Sequence, residues 1–181
     1  FNTFKMIDGF FDHYVTVSDF VHDFVHRTYG IDSHVIPPFI DAPPPASRWQ
    51  DRPPHSISIH LKGQDGDQPL LLNGLRTLLG MRAPDLEKAI DWEGSVISAD
   101  TPIAQKAFLK TLGKARYLLT LSVAEGFGLV PLEAMAQGVV VLGLDGFGGS
   151  HYMRPGRNCA TAPYPEVHLV AGDMLAGRVG H

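Results

Sequence analysis

"YLLTLSVAEGFGLVPLEAMAQGVVVLGL", residues 117–144, decides the fold. An apolar run of strand length, "YLLTL" (117–121), leads into the loop "SVAEGFG", then a helix expected from Pro131 to Gly138, then a second apolar run, "VVVLGL" (139–144). A continuous β-branched run suits a central parallel strand covered on both faces, and a helix between two such strands makes them parallel.

The same unit recurs upstream. "SISIHL" (56–61) alternates as a strand does, and "QPLLLNGLRTLLGMR" follows with Leu71, Leu75, Leu78 and Leu79 at helical spacing. "GSVIS" (94–98) is strand-like, and "DTPIAQKAFLKTLGKA" begins with Thr101 as cap and Pro102 at the first helical position. Strands alternating with helices predict an α/β chain with a doubly wound, Rossmann-like parallel sheet. Before this region, "HYVTV" (13–17) reads as a strand. Ser18 caps the helix "DFVHDFVHRTYG", whose apolar face is Phe20, Val21, Phe24 and Val25, and Gly30 ends it. A short "HVIP" strand then enters residues 37–54, where seven prolines predict a stiff connection and a domain boundary. The tail "PEVHLVAGDMLAGRVGH" reads as a weak terminal helix.

Composition narrows the function classes. The chain has 181 residues, 44% of them hydrophobic and 19% charged, which is the balance of an ordinary globular protein. Its net charge of -4, without a basic run, argues against nucleic acid as a partner. The single cysteine, Cys159, excludes an internal disulfide and fits a reducing compartment. No apolar run is long enough to span a bilayer, and "FNTFKMIDGFFDHY" lacks the order of a signal peptide. The location expected is therefore cytoplasmic, with peripheral membrane attachment left open. Lacking an initiator methionine, the chain is expected to be a fragment of something longer.

In open α/β sheets, ligands bind beyond the carboxyl ends of the strands, where loops and helix N-termini converge. "SVAEGFG" has that address. Gly126 and Gly128 would let the backbone approach a ligand, and the free N–H groups of the following helix suit a phosphate. Glu125 lies in the loop and Glu133 about two residues into the helix. Carboxylates accept the hydroxyls of sugars, so two of them flanking an anion cradle suggest a sugar nucleotide. Structural readings stand beside these: Glu133 could close a capping box, Phe127 could be a core anchor, and the glycines could shape a turn. His22 and His26, four apart with Asp19 and Asp23 beside them, have zinc spacing but no third well-placed ligand, and a solvated face opposite Phe20 and Phe24 is the expected reading.

These residues resemble a known family. "SVAEGFGLVPLEAMAQG" is similar to the E-x7-E motif of retaining GT-B glycosyltransferases of the family 4, group 1 type. "VVVLGLDGFGGSHYMRPGRN" resembles the next strand, glycine loop and turn, and "YVTVSDFVHDFVHRTYGIDSHVIPPFID" the segment that closes the first domain. The resemblance implies the C-terminal half of a GT-B fold. Residues 1–41 would be the tail of the acceptor domain, 42–54 the linker, and 55–181 a donor-binding domain incomplete at its C-terminus. It implies transfer of a sugar from a nucleoside-diphosphate sugar, with retention, to a glycan or lipid-linked acceptor held by the missing domain. This fragment alone would be inactive.

Carried over, Glu125 would contact the transferred sugar and stabilise its developing positive charge, and Glu133 would hold the ribose. Gly126, Phe127, Gly128 and Leu129 would line sugar and diphosphate through the backbone. No protein nucleophile, metal or cofactor is implied. The family's Gly-Arg pair and following lysine are replaced by "HLKGQDGDQP", leaving Lys62 for the diphosphate. Arg154 and Arg157 lie near the second glycine loop, and Gly146, Gly148 and Gly149 could cradle ligand. Two other readings remain: a non-catalytic sugar-nucleotide-binding domain, and a dinucleotide-binding oxidoreductase domain, for which "LKGQDGDQP" lacks the GxGxxG.

Overall fold

The structure, a computed structural model, describes residues 11–62, 67–92, 96–98, 104–164, 166 and 169. It begins with a small unit: β1 (Val15–Thr16), α1 (Asp19–Tyr29) and β2 (His34–Val35), with β1 and β2 paired in parallel. Ser18 caps α1 as expected, its hydroxyl accepting from the Val21 N–H, and Gly30 ends the helix at a φ of 71°. The first strand is shorter than the expected 13–17.

After a 3-10 turn at Trp49–Asp51 come β3 (Ile57–Leu61), α2 (Asp67–Arg82), α3 (Pro84–Ala89), β4 (Val96–Ser98), α4 (Gln105–Leu112), β5 (Tyr117–Thr120), α5 (Leu129–Ala136), β6 (Val140–Leu144), a 3-10 turn at Gly148–His151 and β7 (Cys159–Ala162). The five later strands form one sheet in the order β4-β3-β5-β6-β7, every pair parallel. This is the α/β sheet flanked by helices that the alternating sequence predicts.

Each face has its own core. Ile57, Ile59, Leu61, Tyr117, Leu119, Leu121 and Leu142 pack with Leu72, Leu75 and Leu79 of α2. Leu118 and Val141 turn the other way, toward Leu112 of α4 and Ala134 of α5. Helices on both sides leave β3, β5 and β6 almost wholly buried, hence their unbroken apolar runs.

Three further elements depart from expectation. Helix α5 starts at Leu129, because Gly128 adopts a left-handed φ of 83° and closes the loop early. Pro131 therefore falls at the third helical position, where its absent N–H breaks no intrahelical bond. Strand β7, "CATA", has too little β-branched character to be read from sequence and forms by pairing with β6 from Val141↔Cys159 to Leu144↔Ala162. Helix α3 is an addition, opened by Pro84 and acidic in its first turn. The expected cap at Thr101 and Pro102 and, apart from Glu166 and Leu169, the terminal helix from Pro165 fall outside the described residues.

The proline-rich connection is bound to the lower edge of the sheet. Arg52 is buried and donates to the carbonyls of Ser47, Ala115, Gln137 and Gly138. Trp49 donates its indole N–H to Arg116 O, and the Arg116 guanidinium stacks over the Trp49 ring at 4.6 Å.

Candidate functional site

The strand order locates the site. From β3 the chain moves outward to β4, then returns past β3 to β5, so its connections diverge to opposite faces between β3 and β5. Such a switch point opens a crevice at the carboxyl ends of the strands. Lys62 is the first residue beyond β3, and the loop carrying Ser122 and Glu125 follows β5.

Across that crevice, Lys62 Nζ meets Glu125 Oε2 at 2.7 Å, and Ser122 Oγ donates to Glu125 Oε1 at 2.7 Å. Both oxygens of the carboxylate are engaged, one from each strand. The Glu125 backbone is equally fixed: its N–H donates to Gly146 O at 2.8 Å, and its carbonyl accepts from Gly148 N–H at 3.2 Å. Sequence reading placed Lys62 and Glu125 separately, whereas the fold makes them one ion pair. It missed Ser122, since a loop serine carries no signal of its partner.

The second glycine loop serves the first. A Cβ on Gly148 would lie 2.4 Å from Gly126 O, one on Gly146 would lie 2.9 Å from Glu125 Cγ, and one on Gly149 would lie 2.9 Å from Met153. Gly149 makes room for Met153, while Gly146 and Gly148 pack loop on loop, so this part of "DGFGGSH" is a seat for residues 125 and 126. Between them Phe147 has φ 63° and ψ -61°, with Gly148 N–H donating to Gly146 O at 2.8 Å. That is a γ-turn of the rare, strained hand. It is held by the Glu125 bonds, by Asp145 Oδ1 accepting from Phe147 N–H at 2.9 Å, and by Phe147 stacking on Phe20 of α1 at 5.2 Å.

The loop itself divides its tasks. Gly126 has no positive φ, and its carbonyl accepts from Ser18 Oγ at 2.5 Å, which ties α1 to the site. Phe127 is buried against His151 and Tyr152, a core anchor that leaves only its backbone for a ligand. Gly128 carries the positive φ, and its carbonyl accepts from the Tyr152 hydroxyl. Burial and the nearby Glu125 charge push the Tyr152 phenol up, so it stays a donor. No side chain caps α5, whose first residue, Leu129, is exposed.

Glu133 is the fifth residue of α5, deeper than expected, and with Gly128 as N-cap it closes no capping box. It is buried, and Gln105 Nε2 of α4 donates to its Oε1 at 3.1 Å. The two glutamates are thus tied to different elements, Glu125 to the end of β3 and Glu133 to the start of α4. Gln105 lies 28 residues away in sequence, too far for any motif to signal.

Other candidates lie elsewhere. Arg154 donates to the carbonyls of Ser150, His151 and Met153, which fastens a turn, and Arg157 is exposed in the following turn. His22 pairs with Ser33 and His26 with Asp32, and among the described residues no group of three His, Cys, Asp or Glu is placed to hold a metal ion. No helix among them is long and apolar enough to cross a membrane.

Residues 102–171 match the family model of glycosyl transferases group 1. That span contains Glu125, its loop, α5 and the second glycine loop. No curated protein matches the chain. Among solved structures, a mutant of S. aureus TarM in complex with fondaparinux, alpha-GlcNAc-glycerol and UDP aligns with a TM-score of 0.72 at 13% identity, over 97% of this chain and 38% of that one. The GtfA/B complex aligns at 0.64 and 14% identity, over 99% of this chain and 41% of that one. The pneumococcal O-GlcNAc transferase GtfA in complex with UDP and GlcNAc aligns at 0.63 and 17% identity, over 91% and 37%. The chain therefore has an α/β fold similar to part of the GT-B glycosyltransferases and spans about two fifths of the length of these structures.

Proposed function

We propose that this chain carries the donor site of a retaining glycosyltransferase and binds a nucleoside-diphosphate sugar at the switch point between β3 and β5. The observation that carries this reading is the Glu125 carboxylate, held between Lys62 and Ser122 at the mouth of the crevice within the group 1 glycosyl transferase match. Glu133 lies eight residues on, buried and steadied by Gln105, where it would accept the ribose hydroxyls.

The diphosphate would lie between them, against the uncapped start of α5 and the backbone of Gly126, Phe127, Gly128 and Leu129. Its charge competes with Glu125 for Lys62. As Lys62 turns to the phosphates, Glu125 is released toward the sugar, where a carboxylate stabilises the positive charge that develops as the glycosidic bond breaks. The acceptor hydroxyl attacks from the leaving-group face and gives its proton to a phosphate oxygen, so configuration is retained without a protein nucleophile. The acceptor would be a glycan or lipid-linked sugar bound by a further domain, and the whole protein would work at the cytoplasmic side. A domain that binds sugar nucleotides without transferring them would share this grip, and turnover with an added acceptor separates the two.

Calorimetry with a panel of sugar nucleotides tests the reading. Binding is expected, with Glu133→Ala weakening it about tenfold or more through the loss of ribose hydrogen bonds to a charged acceptor. Unchanged binding in folded Glu125→Ala and Glu133→Ala variants overturns the assignment.

A further inference from the structure

His60 has no task in the reading above, yet the sheet register places it in the same site. On β3, Ile57, Ile59 and Leu61 enter the core shared with α2, so Ser58 and His60 face the other way, and Lys62 continues their series. On β5, Tyr117, Leu119 and Leu121 enter that same core, which sets Leu118, Thr120 and Ser122 in the opposite series. His60 pairs with Thr120. Lys62 and Ser122 therefore stand one step beyond that rung, toward the crevice, and these are the two groups that hold Glu125. His60 lies one step beneath the bridge, 7% exposed.

We propose that His60 is a second cation of the diphosphate grip, taking a proton from solvent as a nucleoside-diphosphate sugar binds. This rests on the donor-site reading and adds to it. The reason is a count of charge. A diphosphate diester carries two negative charges, and Lys62, the cation paired to the site, is already matched by Glu125. Arg154 is committed to its turn, Arg52 and Arg116 lie at the opposite end of the sheet, and Lys106 lines a cavity with Asp41, Pro43 and Gln105, beside Glu133 rather than Glu125. His151, against Phe127, is paired with Asp19, so when the ligand enters, His60, one step beneath Lys62 and Ser122, meets an excess of negative charge.

The groups around that base agree. Burial holds His60 below its ordinary range in the free protein, with Glu125 favouring the proton and Lys62 opposing it. From β4 the register partner is apolar Ile97. On the helical side, Tyr152 stays a neutral donor to Gly128, and Glu133 is occupied by Gln105. An arriving anion thus adds to Glu125 in favouring the proton on an imidazole that burial otherwise keeps neutral.

The test uses the 181-residue chain with UDP-N-acetylglucosamine and GDP-mannose, whose diphosphate diesters keep their charge across the range studied. Affinity is expected to rise as the pH falls from about 8 to about 6, with a slope approaching about tenfold per pH unit at its steepest. His60→Gln should flatten that slope, and His60→Arg should bind with little pH dependence. In the unsubstituted chain, NMR titration of the His60 ring should show its protonation midpoint rising when either probe is added, a readout that does not require the variants to fold. A pH slope unchanged in His60→Gln, or a midpoint unmoved by a bound probe, overturns this inference alone. Absence of binding at every pH overturns the donor-site reading and this inference with it.

Discussion

Glu125 shows how a single carboxylate is prepared. Four interactions fix it, two on the side chain from Lys62 and Ser122 and two on the backbone from Gly146 and Gly148. The backbone pair demands glycine at 148, because a Cβ there would press on two carbonyl oxygens at 2.4 and 2.5 Å. Gly148→Ala is therefore expected to cost about 1–3 kcal/mol in a denaturant titration, since the contact is with backbone that cannot rotate away. A cost below a few tenths of a kcal/mol would show that the loops do not pack as described. At this scale much was legible: Glu125, Glu133, Lys62 and the glycines all stand out in the sequence. Their pairing was not. Ser122, Gln105 and His60 join the site only because neighbouring strands and helices bring them there, and no local pattern encodes such a meeting.

Among the elements, α1 connects the small N-terminal unit to the site. Ser18 serves as its cap and also donates to Gly126 O, Asp19 meets His151 at 3.0 Å, and Phe20 stacks on Phe147. One serine thus fixes a helix end and the loop of residues 125–128 together. Ser18→Ala is expected to lower stability by about 1–2 kcal/mol, and to increase amide exchange both in the first turn of α1 and in residues 125–128. Exchange that rises only in α1 would show the two to be uncoupled. The proline-rich connection carries a similar double role. Its stiffness is plain from seven prolines, but Arg52 was unremarked, because a lone arginine in a polar stretch looks solvated. Replacing it by methionine leaves the carbonyls of Ala115 and Gln137 without their donor and should cost at least about 2 kcal/mol by chemical denaturation.

For the molecule as a whole, His60 links the site to stability. Burial keeps its folded-state affinity for protons below the ordinary value of 6.5, so the unfolded chain takes the proton first as the pH falls. Its contribution is thus complete above 6.5 and is lost as the pH drops through the lower folded value. The melting temperature should decline from neutral toward mildly acidic pH, and His60→Gln should reduce that decline. An equal decline in the variant would assign it to other groups. A bound sugar nucleotide should raise the melting temperature in proportion to the logarithm of its saturation.

By itself the sequence determined the alternation of strand and helix, the parallel sheet, and the loop where a ligand grip could form. Those properties live in periodicity, in Ser18 and Gly30 at the ends of a helix, and in the apolar runs of buried strands. Only the tertiary structure decided that β3 and β5 are neighbours, that β7 exists, and that Lys62 faces Glu125. Strand order and register are set by which surfaces bury each other across long stretches of chain, and that energy belongs to no single segment.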